Sequence, residues 1–228
     1  VKSRCIFEYI YFARTDSIID GQSVYSSRVR AGSILAEKYP VDADLVIGVP
    51  ESGLAAAVGY SQGSNIPYGM AFYKNSYVGR TFIKPKQNER TAGVQAKLNV
   101  IRDVVKGKRV VMVDDSIVRG TTIRNIVKML KDAGALEVHV RISSPPFKHP
   151  CYYGTDVPSS ENLVAVNNTI DEIKESINAG SLGFLDIEDL GQLCPGLDYC
   201  DACFTGKYAG GIPSDPSKTN SCSSKIVL

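Results

Sequence analysis

Two rhythms of apolar residues alternate along the chain: short unbroken apolar runs, and longer stretches in which apolar residues return every three or four positions. The run Leu45-Val46-Ile47-Gly48-Val49, stopped by Pro50, predicts a buried parallel strand. Val110-Val111-Met112-Val113 is the strongest strand, Glu137 to Ile142 the next, and Gly69 to Tyr73 a further one. Between them lie helices. Val24 to Tyr39 is entered from Ser23, a good N-cap, and ended by Tyr39-Pro40. Ser52 to Gly63 reads as a helix through Leu54, Ala55, Ala57 and Val58. After Gly120, residues Ile123, Ile126, Val127 and Leu130 share one helical face, and Gly134 closes that helix. Strands alternating with helices imply an α/β fold, a parallel sheet flanked by helices on both faces.

The rhythm fails in three places. Lys74 to Lys97 carries Lys74, Arg80, Lys84, Lys86, Arg90 and Lys97 against the single acid Glu89, with no apolar period, and reads as a mobile basic loop. From Ser143 the pattern is broken by Pro145, Pro146 and Pro150, before a last helix over Thr169 to Ala179 ending near Gly180. Residues 210–228 are rich in Gly, Pro and Ser and read as a flexible tail. One domain over 1–209 with that tail is therefore expected.

Composition narrows the function classes. The 228 residues are 43% hydrophobic and 22% charged, an ordinary globular mix. A net charge of +2 demands no nucleic-acid or membrane partner. No apolar run approaches the roughly 20 residues of a membrane span, and the N-terminal VKSRCIFEYIYFAR is no signal peptide, so a cytoplasmic protein is expected. Starting at Val1 rather than Met, the chain is expected to be processed or to be part of something longer. Without secretion, the six cysteines favour metal binding over disulfides, and Cys200-x-x-Cys203 points the same way.

The chemistry concentrates in Val110-Val111-Met112-Val113-Asp114-Asp115-Ser116-Ile117-Val118-Arg119-Gly120-Thr121-Thr122. A strand delivers two carboxylates to its carboxyl end, where open α/β sheets bind ligands. A turn with Gly120 and two hydroxyls follows, and a helix begins. Backbone N–H groups at that helix start, with the Thr hydroxyls, make a phosphate cradle, while the acids can accept from a sugar diol or hold a metal through its waters. An ordinary strand-end acid pair would explain Asp114-Asp115 alone, but not the thirteen-residue run. The combination resembles the phosphoribosyl-pyrophosphate (PRPP) signature of type I phosphoribosyltransferases.

Further segments resemble one branch of that group, the glutamine PRPP amidotransferases. Arg4 to Arg14 is similar to the entry into their synthase domain, Val49-Pro50-Glu51-Ser52-Gly53 to their pyrophosphate loop, and Tyr77-Val78-Gly79-Arg80-Thr81-Phe82-Ile83 to their flexible catalytic loop. Cys200-x-x-Cys203-Phe204-Thr205-Gly206-Lys207-Tyr208 is similar to their cluster-bearing segment. The resemblance implies a reaction in which ammonia displaces pyrophosphate at C1 of PRPP, giving 5-phosphoribosylamine at the start of purine nucleotide synthesis. It implies magnesium at Ser52, Asp114 and Asp115, the 5-phosphate at Ser116 to Thr122, and pyrophosphate against Glu51, Ser52 and Gly53. Lys74, Tyr77, Arg80 and Lys97 would sit on the closing loop as catalytic residues.

The resemblance also assigns Cys5, Cys151, Cys200 and Cys203 to a [4Fe-4S] cluster; a four-thiolate zinc site is the alternative that chemistry alone leaves open. Cys194 and Cys222 match no ligand position, and His139 and His149 read as structural. Two departures stand out. The family's N-terminal glutaminase domain, with its nucleophilic cysteine, is absent from this chain, so ammonia rather than glutamine is the expected substrate here. Ser76 stands where many members carry arginine, which bears on inhibition by purine nucleotides, in which Lys74 and that arginine are implicated. The family further implies a homo-oligomer. The competing readings are a nucleobase phosphoribosyltransferase, which shares the PRPP loop but not the cysteines, and a PRPP-sensing transcription regulator, for which a DNA-binding module is wanting.

Overall fold

The computed structural model describes residues 3–74, 98–155, 157 and 159–212. The chain enters through β1 (Arg4–Cys5), a π-helical turn over Glu8–Phe12, and the short hairpin of β2 (Ile18–Ile19) and β3 (Gln22–Ser23). Helix α1 (Val24–Lys38) then starts where expected, with the Ser23 side chain accepting from the Ser26 N–H at 3.2 Å. There follow β4 (Leu45–Gly48), α2 (Gly53–Ser64), β5 (Phe72–Lys74), β6 (Leu98–Val100), the one-turn α3 (Arg102–Val105), β7 (Arg109–Asp114), α4 (Thr121–Asp132) and β8 (Glu137–Ile142). The last third contributes α5 (Val164–Asn167), α6 (Ile170–Ser176), β9 (Ser181–Phe184), α7 (Leu190–Leu193), β10 (Tyr199–Cys200) and α8 (Ala202–Thr205).

The central sheet runs β4-β7-β8-β9, with every neighbouring pair parallel. Its register sets Leu45 opposite Val110 and Gly48 opposite Val113, so the carboxyl ends of β4 and β7 finish side by side. Because successive side chains in a strand point to opposite faces, the apolar runs feed two cores. Val46, Val111 and Val113 pack with Leu35, Ala56 and Ala57 of α1 and α2 on one face. Leu45, Ile47, Val110 and Met112 pack on the other with Ile123, Ile126, Val127 and Leu130 of α4. Each of these Val, Leu, Ile and Met side chains contributes roughly 1.5–3 kcal/mol by leaving water. This is the α/β arrangement, a parallel sheet flanked by helices, that the alternation of strands and helices implies.

Several expectations shift. The strand expected over Gly69 to Tyr73 is Phe72–Lys74, and it pairs antiparallel with β6 rather than joining the central sheet. The helix expected last is α6, which ends at Ser176 and is followed by the one-turn α7 and α8: a Thr169–Glu172 capping box starts it, and Asn178, at φ 58°, turns the chain away. Residues 75–97 and 213–228, which hold most of the basic loop and of the tail, lie outside the described residues.

The first and last described strands meet. β1 and β10 pair in parallel, with Cys5 opposite Cys200, and the Ile6 N–H donates to the Cys200 carbonyl at 3.1 Å. Arg28, buried on α1, secures the segment after β1 by donating to the Tyr9 and Ala13 carbonyls and to Thr15 Oγ1.

Candidate active site

The site lies where β4 and β7 end. After Gly48 the chain bonds once more to its neighbour, Val49 N–H to the Val113 carbonyl at 2.9 Å, and then turns through Pro50–Ser52, with a cis Pro50–Glu51 peptide. Helix α2 starts immediately at Gly53, pressed against β7. A Cβ at Gly53 would stand 2.5 Å from the Val113 oxygen and 3.2 Å from Asp114 Cα, so only glycine lets the turn approach the acid pair this closely. Ser52 sits at the helix N-cap but its hydroxyl does not cap. It donates instead to Asp115 Oδ1 at 2.5 Å.

Both acids are buried, at 9% and 7% exposure for Asp114 and Asp115. The Asp115 N–H donates to Asp114 Oδ1 at 2.9 Å, and the Ser116 hydroxyl donates to Asp115 Oδ2. Burial, and then the neighbouring Asp115 charge, hold the Asp114 carboxyl well above the usual carboxylate range. The main chain beneath is fixed by the Ser143 N–H, which donates to the Asp114 carbonyl at 2.9 Å.

The loop to α4 divides its residues by role. Ile117 turns into the core and Val118 is half-buried, so these two offer a ligand their main chain. Arg119, Thr121 and Thr122 are exposed. Gly120 is the N-cap of α4 at φ 77°, a conformation that L side chains rarely adopt, and it leaves the first N–H groups of the twelve-residue helix without a capping side chain. The helix dipole adds partial positive charge there.

Lys74, at the end of β5, reaches across to Glu51 at 3.0 Å, an exposed pair that joins the loop base to the turn. Tyr77, Arg80 and Lys97, and with them Ser76, lie outside the described residues. The structure thus brings together Glu51, Ser52, Gly53, Lys74 and the run Asp114 to Thr122. Sequence reasoning missed Val164, whose N–H donates to the Val118 carbonyl at 2.9 Å and whose side chain would meet a Cβ on Gly120 at 3.6 Å. No local pattern signals a contact between segments so far apart in the chain.

A second locus lies at the joined ends. Cys5, Cys151, Cys200 and Cys203 all line one cavity of about 670 Å³. Burial pushes the Cys5 thiol up to about 11 and the Cys203 thiol further. Burial acts on Cys151 in the same direction, but N–H donors of Gly154, Tyr153 and Thr155 outweigh it and bring that thiol below its ordinary value. The Thr155 N–H lies 3.4 Å from Cys151 Sγ. A strap crosses the cavity: Tyr208 Oη donates to the Pro150 carbonyl at 2.7 Å, while Tyr153 Oη accepts from the Gly210 N–H at 3.1 Å and donates to the Gly211 carbonyl at 2.7 Å. Among the described residues, no three His, Cys, Asp or Glu side chains are arranged to hold a single metal ion. Cys194 is buried elsewhere as a free thiol, Cys222 lies outside the described residues, and His139 is buried with Nδ1 3.0 Å from Ser181 Oγ.

Comparison with known proteins places the chain among relatives. A family described as phosphoribosyl transferase domain matches residues 24–152. The amidophosphoribosyltransferase of Synechocystis sp. is 53% identical over 212 residues, which are 92% of this chain and 43% of that protein. That of Bacillus subtilis is 52% identical over 221 residues, 94% of this chain and 46% of the relative. A solved structure of the allosteric regulatory enzyme of purine biosynthesis superposes with a TM-score of 0.85 at 53% identity, covering 94% of this chain and 47% of that one. The glutamine PRPP amidotransferase from B. subtilis complexed with ADP and GMP gives a TM-score of 0.85 at 52% identity, covering 93% and 48%. The chain spans less than half the length of these relatives.

Proposed function

This chain belongs to the phosphoribosyl transferase domain family, and from that premise we propose that it is the PRPP-using half of an amidophosphoribosyltransferase. In this reading ammonia displaces pyrophosphate from C1 of PRPP to give 5-phosphoribosylamine, the first step of purine nucleotide synthesis. The observation that carries it is the continuous run from the buried Asp114–Asp115 pair to the open start of α4, set against the Glu51–Gly53 turn.

The 5-phosphate is received by main-chain N–H groups from Ser116 onward and by the hydroxyls of Thr121 and Thr122, where helix dipole and glycine-opened backbone favour an anion. Asp114 and Asp115 accept from the ribose hydroxyls and so orient C1 towards the turn. Glu51, Ser52 and Gly53 lie against the pyrophosphate, and Lys74 exchanges Glu51 for the charge that grows on it as the C1–O bond breaks. Ammonia then bonds to C1 and releases a proton. Tyr77, Arg80 and Lys97 belong to the same reading by family resemblance, as residues of a loop that excludes water.

The donor set suits magnesium. Ser52 and Asp115 bring hard oxygens within 2.5 Å of each other beside Asp114, and the two carboxylates are hydrogen-bonded to hydroxyl and amide donors rather than to a cationic side chain. The ion would neutralise charge on the leaving pyrophosphate. The cysteine cavity suits a [4Fe-4S] cluster held by Cys5, Cys151, Cys200 and Cys203. A four-thiolate zinc site is the alternative, and the resemblance of the Cys200-x-x-Cys203 segment to the family's cluster-bearing segment is what favours iron. Thiolates are the usual ligands of such clusters, and all four of these cysteines line the one cavity. It would act as a staple between the chain's ends.

The intact protein is proposed to draw ammonia from a glutaminase domain and to form a homo-oligomer in the cytoplasm. Regulation by purine nucleotides is proposed on the strength of the B. subtilis relative complexed with ADP and GMP. No helix among the described residues is long and apolar enough to cross a membrane.

The test is pyrophosphate release by the purified chain with PRPP, magnesium and ammonium salts at raised pH. Release that depends on PRPP and ammonia, and is absent with glutamine as sole donor, is expected. Absence of release from a folded chain would overturn the reading; equal turnover with glutamine would overturn its ammonia-only part.

A further inference from the structure

A phosphate cradle made of backbone amides works only if the carbonyls of the same loop point away from the anion. In the loop between β7 and α4, the side chains do not all help: Ile117 is in the core and Gly120 has none. The orientation of the Val118 peptide must therefore be fixed from outside the loop. One group does this on the described structure, the Val164 N–H, which donates to the Val118 carbonyl at 2.9 Å. The Val164 side chain also stands behind Gly120, within ordinary contact of the position a Cβ would take, at 3.6 Å.

Val164 is itself held. It is the first residue of α5, its predecessor Leu163 is fully buried, and the Val166 N–H returns to the Leu163 carbonyl at 3.1 Å. Asn168 Nδ2 donates to the Val164 carbonyl at 2.9 Å. The donor is available because the first N–H groups of a helix have no partner within it. A one-turn helix with little capacity for burial is thus placed so that its first amide meets a loop more than forty residues earlier in the chain.

We propose that Val164 is a positioning residue for the 5-phosphate site: its amide turns the Val118 carbonyl away from the anion and its side chain backs Gly120, so that the cradle is formed before PRPP arrives. The inference rests on the reading of residues 116–122 as the phosphate loop and extends it to the segment packed behind that loop.

Val164→Pro removes the amide donor and also alters the side chain that backs Gly120. Leu163 has φ −82° and ψ 114°, the extended conformation that a residue before proline prefers, and proline is well tolerated at the first position of a helix. Val164→Ala keeps the N–H and is the control. Because the 5-phosphate is held equally before and during reaction, its loss of grip is expected to appear as uniform binding. In ammonia-dependent assays Val164→Pro should raise the KM for PRPP about five- to tenfold, the value of one neutral hydrogen bond, with kcat within about a factor of two. Ribose 5-phosphate, which carries the phosphate and diol but no pyrophosphate, should weaken by the same factor in calorimetry. Val164→Ala should restore most of the affinity. A Val164→Pro protein that melts normally and binds ribose 5-phosphate like the parent would overturn the inference. If that variant does not fold, hydrogen exchange of the parent decides: a Val164 amide protected in the free chain and slowed further by ribose 5-phosphate supports the proposal, and an unprotected one overturns it. Failure of the parent chain to bind PRPP at all would remove the functional reading and this inference with it.

Discussion

The Ser52 hydroxyl donates to Asp115 Oδ1 across 2.5 Å, joining the start of α2 to the end of β7. Two loops that follow different strands are thereby locked into one surface, and their separation is set by how closely Gly53 lies against Val113 and Asp114.

Gly53→Ala should therefore damage both fold and site. The added methyl would stand 2.5 Å from the Val113 oxygen, backbone that cannot swing aside. A destabilisation of about 1–3 kcal/mol is expected. PRPP affinity should fall further than stability alone accounts for, because the shift moves the acids relative to the turn. A melting curve and PRPP titration unchanged from the parent would show that the contact has slack.

Asp114→Asn should collapse activity while stabilising the apo chain at neutral pH. The folded state holds this carboxyl above its ordinary 3.8, through burial and then the Asp115 charge. Between that ordinary value and the raised one, the unfolded chain has given up a proton that the folded chain still holds. Stability must fall as pH rises through this window and stay lowered above it. Asparagine does not ionise, so in magnesium-free buffer its melting temperature should exceed the parent's at neutral pH and lose that advantage below about pH 4. An advantage of constant size across this range would contradict the assigned burial penalty.

Protein prepared without oxygen should be brown and contain iron and sulfide. Cys200→Ser should lower the melting temperature of the whole domain as well as remove the colour, because β10 is tied to β1 beside this residue and closing so long a loop restricts the unfolded chain. Cys222→Ser should do neither. Zinc at about one equivalent without iron, in fresh anaerobic protein, would replace the cluster by a mononuclear site and leave the PRPP site untouched.

Tyr153→Phe should free the strap over the cysteine cavity. It removes one acceptor for Gly210 and one donor to Gly211 while keeping the ring against Tyr208. Faster amide exchange at Gly210 and earlier proteolytic nicking around residues 209–212 are expected, with a global cost of no more than about 1 kcal/mol, since the strap is largely exposed. Identical exchange at Gly210 would show that the tyrosine hydroxyl does not hold it.

The parts legible in the sequence are those whose signal is local. Val110 to Val113 read as a buried strand because every position is apolar, and each is fully buried between two cores. The face Ile123, Ile126, Val127 and Leu130 was readable from spacing alone and is the buried face of α4. The acid pair, Gly120 and the two threonines could be read together because they lie in one short run. What depends on distant pairing was not legible. β1 and β10 are two residues each, too short for a pattern, and exist through each other. β9 is an edge strand of mixed burial, Ser-Leu-Gly-Phe, with no alternation to betray it. Ser52 looks like a helix cap by position, yet its hydroxyl serves an acid 63 residues away. Arg28 and Arg141 are nearly fully buried because carbonyl oxygens surround them, and a charged letter in a sequence does not announce this.

The parallel pairing of Cys5 with Cys200 also sets an order in time. At a synthesis rate of about 5–20 residues per second, the first of these cysteines leaves the ribosome roughly 10–40 s before the second is made. Throughout that interval Cys5 has neither its strand partner nor the wall formed by Cys203. The sheet β4-β7-β8 can assemble as it emerges, but the chamber between the chain's ends is finished last, so whatever fills it must arrive at a domain that is otherwise already built.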